Sequence, residues 1–527
     1  MTTRRQLIHR VGALGGILAA YSVMREVGLL GPDTAQAGPL NLAAGSGRGT
    51  KVLILGGGLS GLASAYELGK AGYDCTILEA RTRVGGRNWT VRGGDKIEQT
   101  DGTVQTVGFD QGLYLNAGCA RIPSHHQLTL GYCREFGVAM ETVVNATRSG
   151  RIQSDALFGG QPIQLRQAIY DTRGFVSELL AKAVKKGALD QEVSAEDKAR
   201  LLEMLRGYGG LKADDLTYRG STSAGFANYP GAGDEWGTAR DPISMQALLD
   251  RRVWGRMIFE DDVDMQTTML QPVGGMDHIP KAFEARLPGV IKQGAEVRKI
   301  ARTASGVQVT YFDKSANRLR VLDANLLICT IPLPVLAKIE NDFAPAYKSA
   351  IQNAVYGDAV KVAFQSERFW EHKDQVYGGL SFTDRETSVV WYPSGNYGAS
   401  QGIILGAYNW DNQASTFARR SIAKQIEYAR TSIDKMHPGN GGLLGRGMSV
   451  HWQKIPYNLG PWANFNEEPS PIYDLLSQPD GPFYFAGEHL SHVGAWQQGA
   501  FASAHRTVGM IDARVRAGRP VTETRAQ

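Results

Sequence analysis

Residues 51–87 read KVLILGGGLSGLASAYELGKAGYDCTILEARTRVGGR, and the fold follows from the order of their parts. Val52 to Leu55 is an uninterrupted apolar run, which predicts a parallel strand buried on both faces. Gly56, Gly58 and Gly61 follow as G-x-G-x-x-G. The first glycine permits a tight turn, the second lets a pyrophosphate approach the backbone, and the third lets helix and strand pack closely. The pattern predicts a helix from about Ser60 to Ala71, closed by Gly72. Its N-terminal amides and positive dipole end suit a pyrophosphate, with Ser60 in the same cradle. Cys75 to Leu78 reads as the second buried strand, ending on Glu79, 79 − 61 = 18 residues beyond Gly61. An acid there accepts both hydroxyls of an adenosine ribose and repels a ribose phosphate. These features point to a dinucleotide site, and at this stage NAD and FAD both fit.

The residues that follow narrow the choice. Glu79-Ala80-Arg81-Thr82-Arg83-Val84-Gly85-Gly86-Arg87 resembles the E-A-x-x-R-x-G-G-R signature of the flavin amine oxidase superfamily. The resemblance implies FAD, with Ala80, Arg81, Gly86 and Arg87 beside it. Near the C-terminus, Phe483-Tyr484-Phe485-Ala486-Gly487-Glu488-His489 and Gly494-Ala495-Trp496-Gln497-Gln498-Gly499-Ala500 resemble the closing FAD motif of that family. It implies Gly487, Glu488 near the ribityl chain, Ala495 and Trp496 as cofactor neighbours, and a helix aimed at the pyrimidine end of the ring. Thr267 to Phe283 resembles the segment that returns the chain to the FAD domain, and Val297 matches the position that pairs its backbone with adenine. No cysteine follows Cys329, which rules out a thioether link from the C-terminal block. FAD is therefore expected to be non-covalent.

The chain has 527 residues, 43% hydrophobic and 21% charged, a composition of a globular protein with more than one core. A net charge of +5 without a long basic run argues against nucleic acid or an anionic membrane as partner. Cys75, Cys119, Cys133 and Cys329 are scattered without metal-ligand spacing, so no metal site is expected. At the N-terminus, Arg4-Arg5 precedes an uncharged segment from Val11 to Met24, too short for the roughly 18 residues of a membrane span. Ala35-Gln36-Ala37 offers a small-x-small cleavage site. Together these resemble a bacterial twin-arginine signal peptide, which implies export to the periplasm or beyond.

The resemblance covers most of Lys51 to Val515 and is nearest to the FAD-dependent L-amino-acid oxidases. It implies an α/β fold: a discontinuous Rossmann-like FAD-binding domain, a mixed-sheet substrate domain and a helical insertion. The expected divisions are a signal peptide at 1–37, FAD-binding parts at 48–126, 267–336 and 450–520, a helical insertion at 127–266 and a substrate domain at 337–449.

Within that frame, Gly118-x-x-Arg121-x-Pro123 resembles the segment presenting an arginine to the substrate carboxylate. Arginine suits the task because its planar fork binds a carboxylate bidentately and keeps its charge. His125 and His126 follow; each reads as a surface histidine, with a place at the border of the site left open for one of them. Lys361 matches the family lysine that holds a water against the hydride-accepting flavin nitrogen, and is the expected catalytic residue, acting as a cation. Val389-Val390-Trp391-Tyr392-Pro393 resembles the strand that offers a tyrosine hydroxyl to the carboxylate. Neighbouring strand residues face opposite ways, so only one of Trp391 and Tyr392 can line the site, and Tyr392 matches the family pattern better. Trp496 is expected as an aromatic wall of the substrate cage.

The implied reaction passes a hydride from the Cα of an L-amino acid to flavin. Dioxygen then reoxidises the flavin to give hydrogen peroxide, and the imino acid hydrolyses to a 2-oxo acid and ammonia. An amine or polyamine oxidase, a flavin amino-acid monooxygenase and a non-catalytic FAD-binding module share the cofactor motifs. The side-chain preference and the oligomeric state, a homodimer included, are left open by the sequence.

Overall fold

The computed structural model of the chain describes residues 40, 42–464 and 470–518, so the expected signal peptide at 1–37 lies outside the described residues. The apolar run at Val52 to Leu55 forms the middle of a five-stranded sheet, in the order Ile291–Gln293, Asp74–Glu79, Lys51–Leu55, Leu326–Cys329, Phe483–Phe485. Every pairing is parallel. Strands far apart in sequence thus share one sheet, as a discontinuous Rossmann-like domain requires.

Alternation along the strands sorts their side chains into two cores. Ile54 and Ile77 pack against helix Leu59–Lys70 and the C-terminal helix Gln497–Arg516 through Leu62, Leu68, Phe501 and Val508. Leu53, Leu55 and Leu78 face the other way, onto Val309, Leu333 and Phe343. That second layer carries a mixed sheet in the order Arg318–Ala324, Gly306–Asp313, Ala295–Thr303, Glu340–Asn341, antiparallel except for the last pairing, which is parallel.

The second large sheet has seven strands, in the order Leu444–His451, Ala359–Glu367, Gln401–Trp410, Val389–Tyr392, Gly379–Thr383, Arg151–Gln153, Ile163–Gln164. It is mixed, because Gly379–Thr383 pairs parallel to Arg151–Gln153 while its other neighbour is antiparallel. The last two strands come from the stretch expected to be a helical insertion. That stretch is only partly helical, its main helices being Leu165–Lys185 and Ala195–Gly209.

The strand Ala359–Glu367 is buried on both faces up to its last residue. Val360, Val362 and Phe364 pack under helix Ile422–Met436 with Ala429 and Ile433. Ala359 and Ala363 pack on Val91, Phe109 and Leu115 from the first part of the chain. Lys361 shares that second side, and so points toward the same early part of the chain, where it meets Asn116 and Gly118. Among the described residues no helix is long and apolar enough to cross a membrane.

Candidate active site

Two cavities, of about 330 and 290 Å3, meet inside the molecule. Their common wall includes Arg87, Cys119, Pro461, Ala495, Trp496 and Gln497.

The first cavity opens at the glycine turn. Gly56 has φ +105°, which only glycine adopts without strain, and a Cβ on Gly61 would lie 2.1 Å from the Gly56 carbonyl oxygen. Gly61 is therefore the packing glycine and does not line the cavity. Gly58 is extended, and the space in front of its Cα is open. The helix behind it has no side-chain cap, so its first amides remain free for a ligand. Ser60 is 4% exposed, and its Oγ has no hydrogen-bond partner among the described residues. A buried, unpaired hydroxyl at a helix N-terminus fits a phosphate oxygen.

Glu79 ends its strand with Oε2 accepting the Gly57 N–H and Oε1 accepting the Arg81 N–H, both at 2.8 Å. Each oxygen keeps a second lone pair for a ribose hydroxyl. The second glycine turn docks onto the first, with the Gly85 N–H donating to the Gly57 carbonyl at 2.8 Å and Gly86 at φ +56°. Ala80, Arg81, Gly86, Val297 and Gly487 all reach the cavity wall. Arg81 is held by the Pro456 carbonyl and the Asn458 side chain. Arg87 pairs with Glu488 at 2.7 Å. Burial pushes the Glu488 carboxyl up, but Arg87, His489 and the Ala495 N–H together outweigh it and hold the group below its ordinary range. Glu488 also accepts the N–H of Ala463 at 3.1 Å and of Ala495 at 3.0 Å, tying the closing motif to the wall. These residues fit the dinucleotide expected from the sequence.

The second cavity is aromatic. Arg121 stands in it, its guanidinium 4.7 Å from the Trp391 ring centre and 5.9 Å from those of Phe259 and Trp496. Asn145 Oδ1 accepts from Nη1, and the Met265 sulfur lies 3.2 Å from Nη2. Among the described residues no carboxylate pairs with Arg121. Burial lowers its pKa to about 10 against the opposing pull of Tyr408 and the Asp262 carboxylate, so the site carries a desolvated cation without a directly paired anion.

Lys361 is 4% exposed and donates to the carbonyls of Asn116 at 3.1 Å and Gly118 at 2.6 Å. One tetrahedral position of Nζ remains for the cavity it lines. Burial lowers its pKa to about 7, with Arg121 adding to the effect and Cys119 opposing it. The side chain expected from sequence to act as a cation thus lies where its charge changes near neutrality.

The expectation for Tyr392 is corrected. Its side chain is fully buried under the helical layer, where its hydroxyl donates to Ser381 Oγ at 2.8 Å and meets His437 Nε2 at 2.6 Å. Trp391, one residue earlier, takes the cavity face. The tyrosine that reaches the cavity is Tyr408, which sequence reading missed. It stands opposite Lys361 in the sheet register, and its hydroxyl has no protein partner among the described residues. Knowing that Gln401–Trp410 pairs with Ala359–Glu367 would have identified it, since directly opposed residues share a face.

Trp496 forms part of both cavities. His126 meets it edge to face at 5.1 Å. At 2% exposure, His126 is a buried residue and not the surface histidine expected, whereas His125 is exposed.

The comparisons with known proteins agree with this geometry. A YobN protein of Bacillus subtilis (strain 168) is 28% identical over 471 residues, covering 86% of this chain and 93% of that protein. The L-amino-acid oxidase of Siganus canaliculatus is 26% identical over 488 residues, covering 88% and 85%. The flavin-dependent L-tryptophan oxidase RebO of Lentzea aerocolonigenes is 26% identical over 502 residues, covering 88% and 98%. The solved structure of putrescine oxidase bound to putrescine shares the fold at TM-score 0.57 and 18% identity, covering 89% of this chain and 99% of that one. A family model for flavin containing amine oxidoreductases matches residues 59–511. The chain therefore belongs to the flavin-containing amine oxidoreductase family, with FAD as its cofactor.

Proposed function

We propose that the protein is an FAD-dependent L-amino-acid oxidase, converting L-amino acids to 2-oxo acids with ammonia and hydrogen peroxide. Arg121 carries this reading: a buried guanidinium that pairs with no carboxylate among the described residues, in a cavity that meets the cofactor cavity, calls for an anionic group on the substrate. A simple amine or polyamine would leave that charge unpaired and add a second cation beside it.

In this reading Arg121 and the Tyr408 hydroxyl bind the substrate carboxylate, and the aromatic walls of Trp391, Trp462 and Trp496 take a large apolar or aromatic side chain. Lys361, when neutral, donates both N–H groups to the Asn116 and Gly118 carbonyls and turns its lone pair to the cavity. It then accepts a proton from the substrate ammonium, directly or through one water, leaving the amine nitrogen neutral. FAD supplies the hydride acceptor that dioxygen reoxidises. Glu79, Ser60 and the glycine turn hold its adenosine and pyrophosphate, while Arg87 and Glu488 brace the wall shared by the two cavities. The two arginines near the N-terminus support export to the periplasm as part of the same proposal.

A peroxide assay over the twenty amino acids, run beside the corresponding decarboxylated amines, tests the reading. Peroxide together with 2-oxo acid from apolar or aromatic L-amino acids, and none from the amines, is expected. Turnover of the amines alone, or an amide product without peroxide, would assign the chain to another branch of the family.

A further inference from the structure

Beside the substrate cavity lies a cluster that the oxidase chemistry does not use. The side chains of His125, His126 and Asp264 each offer one ligand atom, all within 4.8 Å of one another. Asp264 Oδ1 is 2.8 Å from His125 Nε2 and 3.3 Å from His126 Nε2. Ligands of a tetrahedral zinc ion, at roughly 2.0–2.2 Å from the metal, stand about 3.3 Å from each other. The cluster therefore needs adjustments of about an ångström or less at the two rotatable rings to close on one ion.

A second observation separates this cluster from a solvated ion pair. His126 is 2% exposed, and among the described residues its Nε2 makes no well-formed hydrogen bond, although it lies 3.3 Å from the Asp264 carboxylate. A buried, unsatisfied ring nitrogen costs free energy unless something binds it. His125, on the solvent side, is already oriented: its Nδ1 lies 2.9 Å from the Gln266 side-chain amide. That contact restrains the ring, while the amide oxygen stays on Ser124.

We propose that His125, His126 and Asp264 form a binding site for a divalent transition ion of the zinc class, with its fourth position open to water. Two imidazoles and one carboxylate are a ligand set suited to such an ion. The ion would clamp two segments that already touch, because Gln266 Oε1 accepts both the N–H and the hydroxyl of Ser124 at 2.9 Å. Between Asp264 and Gln266 sits Met265, whose sulfur contacts Arg121 and whose carbonyl accepts from Asn145 at 3.1 Å. Metal binding therefore stiffens the loop that backs the substrate-binding arginine.

Equilibrium dialysis of the FAD-loaded protein against zinc, after chelator treatment, tests the site, with amide hydrogen exchange as a second readout. One zinc per chain is expected, with slowed exchange over residues 262–267. His125→Ala and Asp264→Asn should each weaken binding by more than the roughly 10–100-fold that losing an outer partner costs, and abolish the slowing, while both variants retain FAD. Failure of the parent protein to retain zinc, or equal zinc binding and exchange in parent and variants, would overturn the proposal.

Discussion

Lys361 and Tyr408 stand directly opposite each other on neighbouring antiparallel strands, with Nζ 5.0 Å from the centre of the tyrosine ring. The pair places a titrating amine and a hydroxyl without a partner among the described residues on the cavity face of one sheet, beside Arg121. The first two predictions follow from it.

Burial lowers the Lys361 pKa from 10.5 to about 7. Below that pH the side chain is an ammonium, which cannot accept a proton, and above it the free amine can. The kcat/KM for an L-amino acid should therefore rise with pH through about 7 and level off. Lys361→Met keeps the approximate volume and removes the titrating group. It should slow flavin reduction by at least about tenfold, near 1.4 kcal/mol of barrier, and erase that limb of the profile. An unchanged profile in the variant would assign the titration to another group.

Tyr408→Phe and Tyr392→Phe should have opposite consequences. The first removes a hydroxyl that lines the cavity, and should raise KM for amino acids several-fold with little change in melting temperature. The second strands Ser381 and His437 in the core. It should lower stability by about 1–3 kcal/mol and leave KM near that of the parent. Steady-state kinetics and thermal melts of the two variants decide between the residues.

The contrast marks where sequence reading stopped. The glycine turn, Glu79 and the Arg87 and Glu488 motifs could be read because their spacing is local and each residue type is required by its own backbone geometry. Arg121 sits in a short motif, and it does reach the cavity. At Trp391-Tyr392 the alternation rule correctly said that one residue faces the site. Which one depends on how the strand lies between helix Ile422–Met436 and the FAD-binding domain, a long-range packing fact. Tyr408 needed the pairing of two strands some forty residues apart, and His126 needed the loop around Asp264 to fold back over it.

FAD should come away on acid precipitation, leaving a yellow supernatant. Cys119 lies on the wall shared by both cavities, but burial raises the pKa of its thiol and keeps it protonated, a poor nucleophile toward the ring. Colour retained in the pellet would instead indicate a covalent link, with Cys119 the first residue to replace.

The N-terminal arginine pair gives a separate test. Arg4→Lys with Arg5→Lys should leave an active enzyme in the cytoplasm and little in the periplasm, read by activity in the two cell fractions. Unchanged periplasmic activity would remove the export reading.

Arg121→Lys tests the central claim most directly. Lysine keeps the charge and loses the bidentate fork, which in a buried pair costs on the order of 2–5 kcal/mol. The measurement is the KM of parent and variant for one L-amino acid and for the amine made by removing its carboxyl group. If Arg121 holds the substrate carboxylate, KM for the amino acid rises by at least about thirtyfold, near 2 kcal/mol, while any activity on the amine changes little. Equal losses on both substrates, or an unaffected KM for the amino acid, would contradict it.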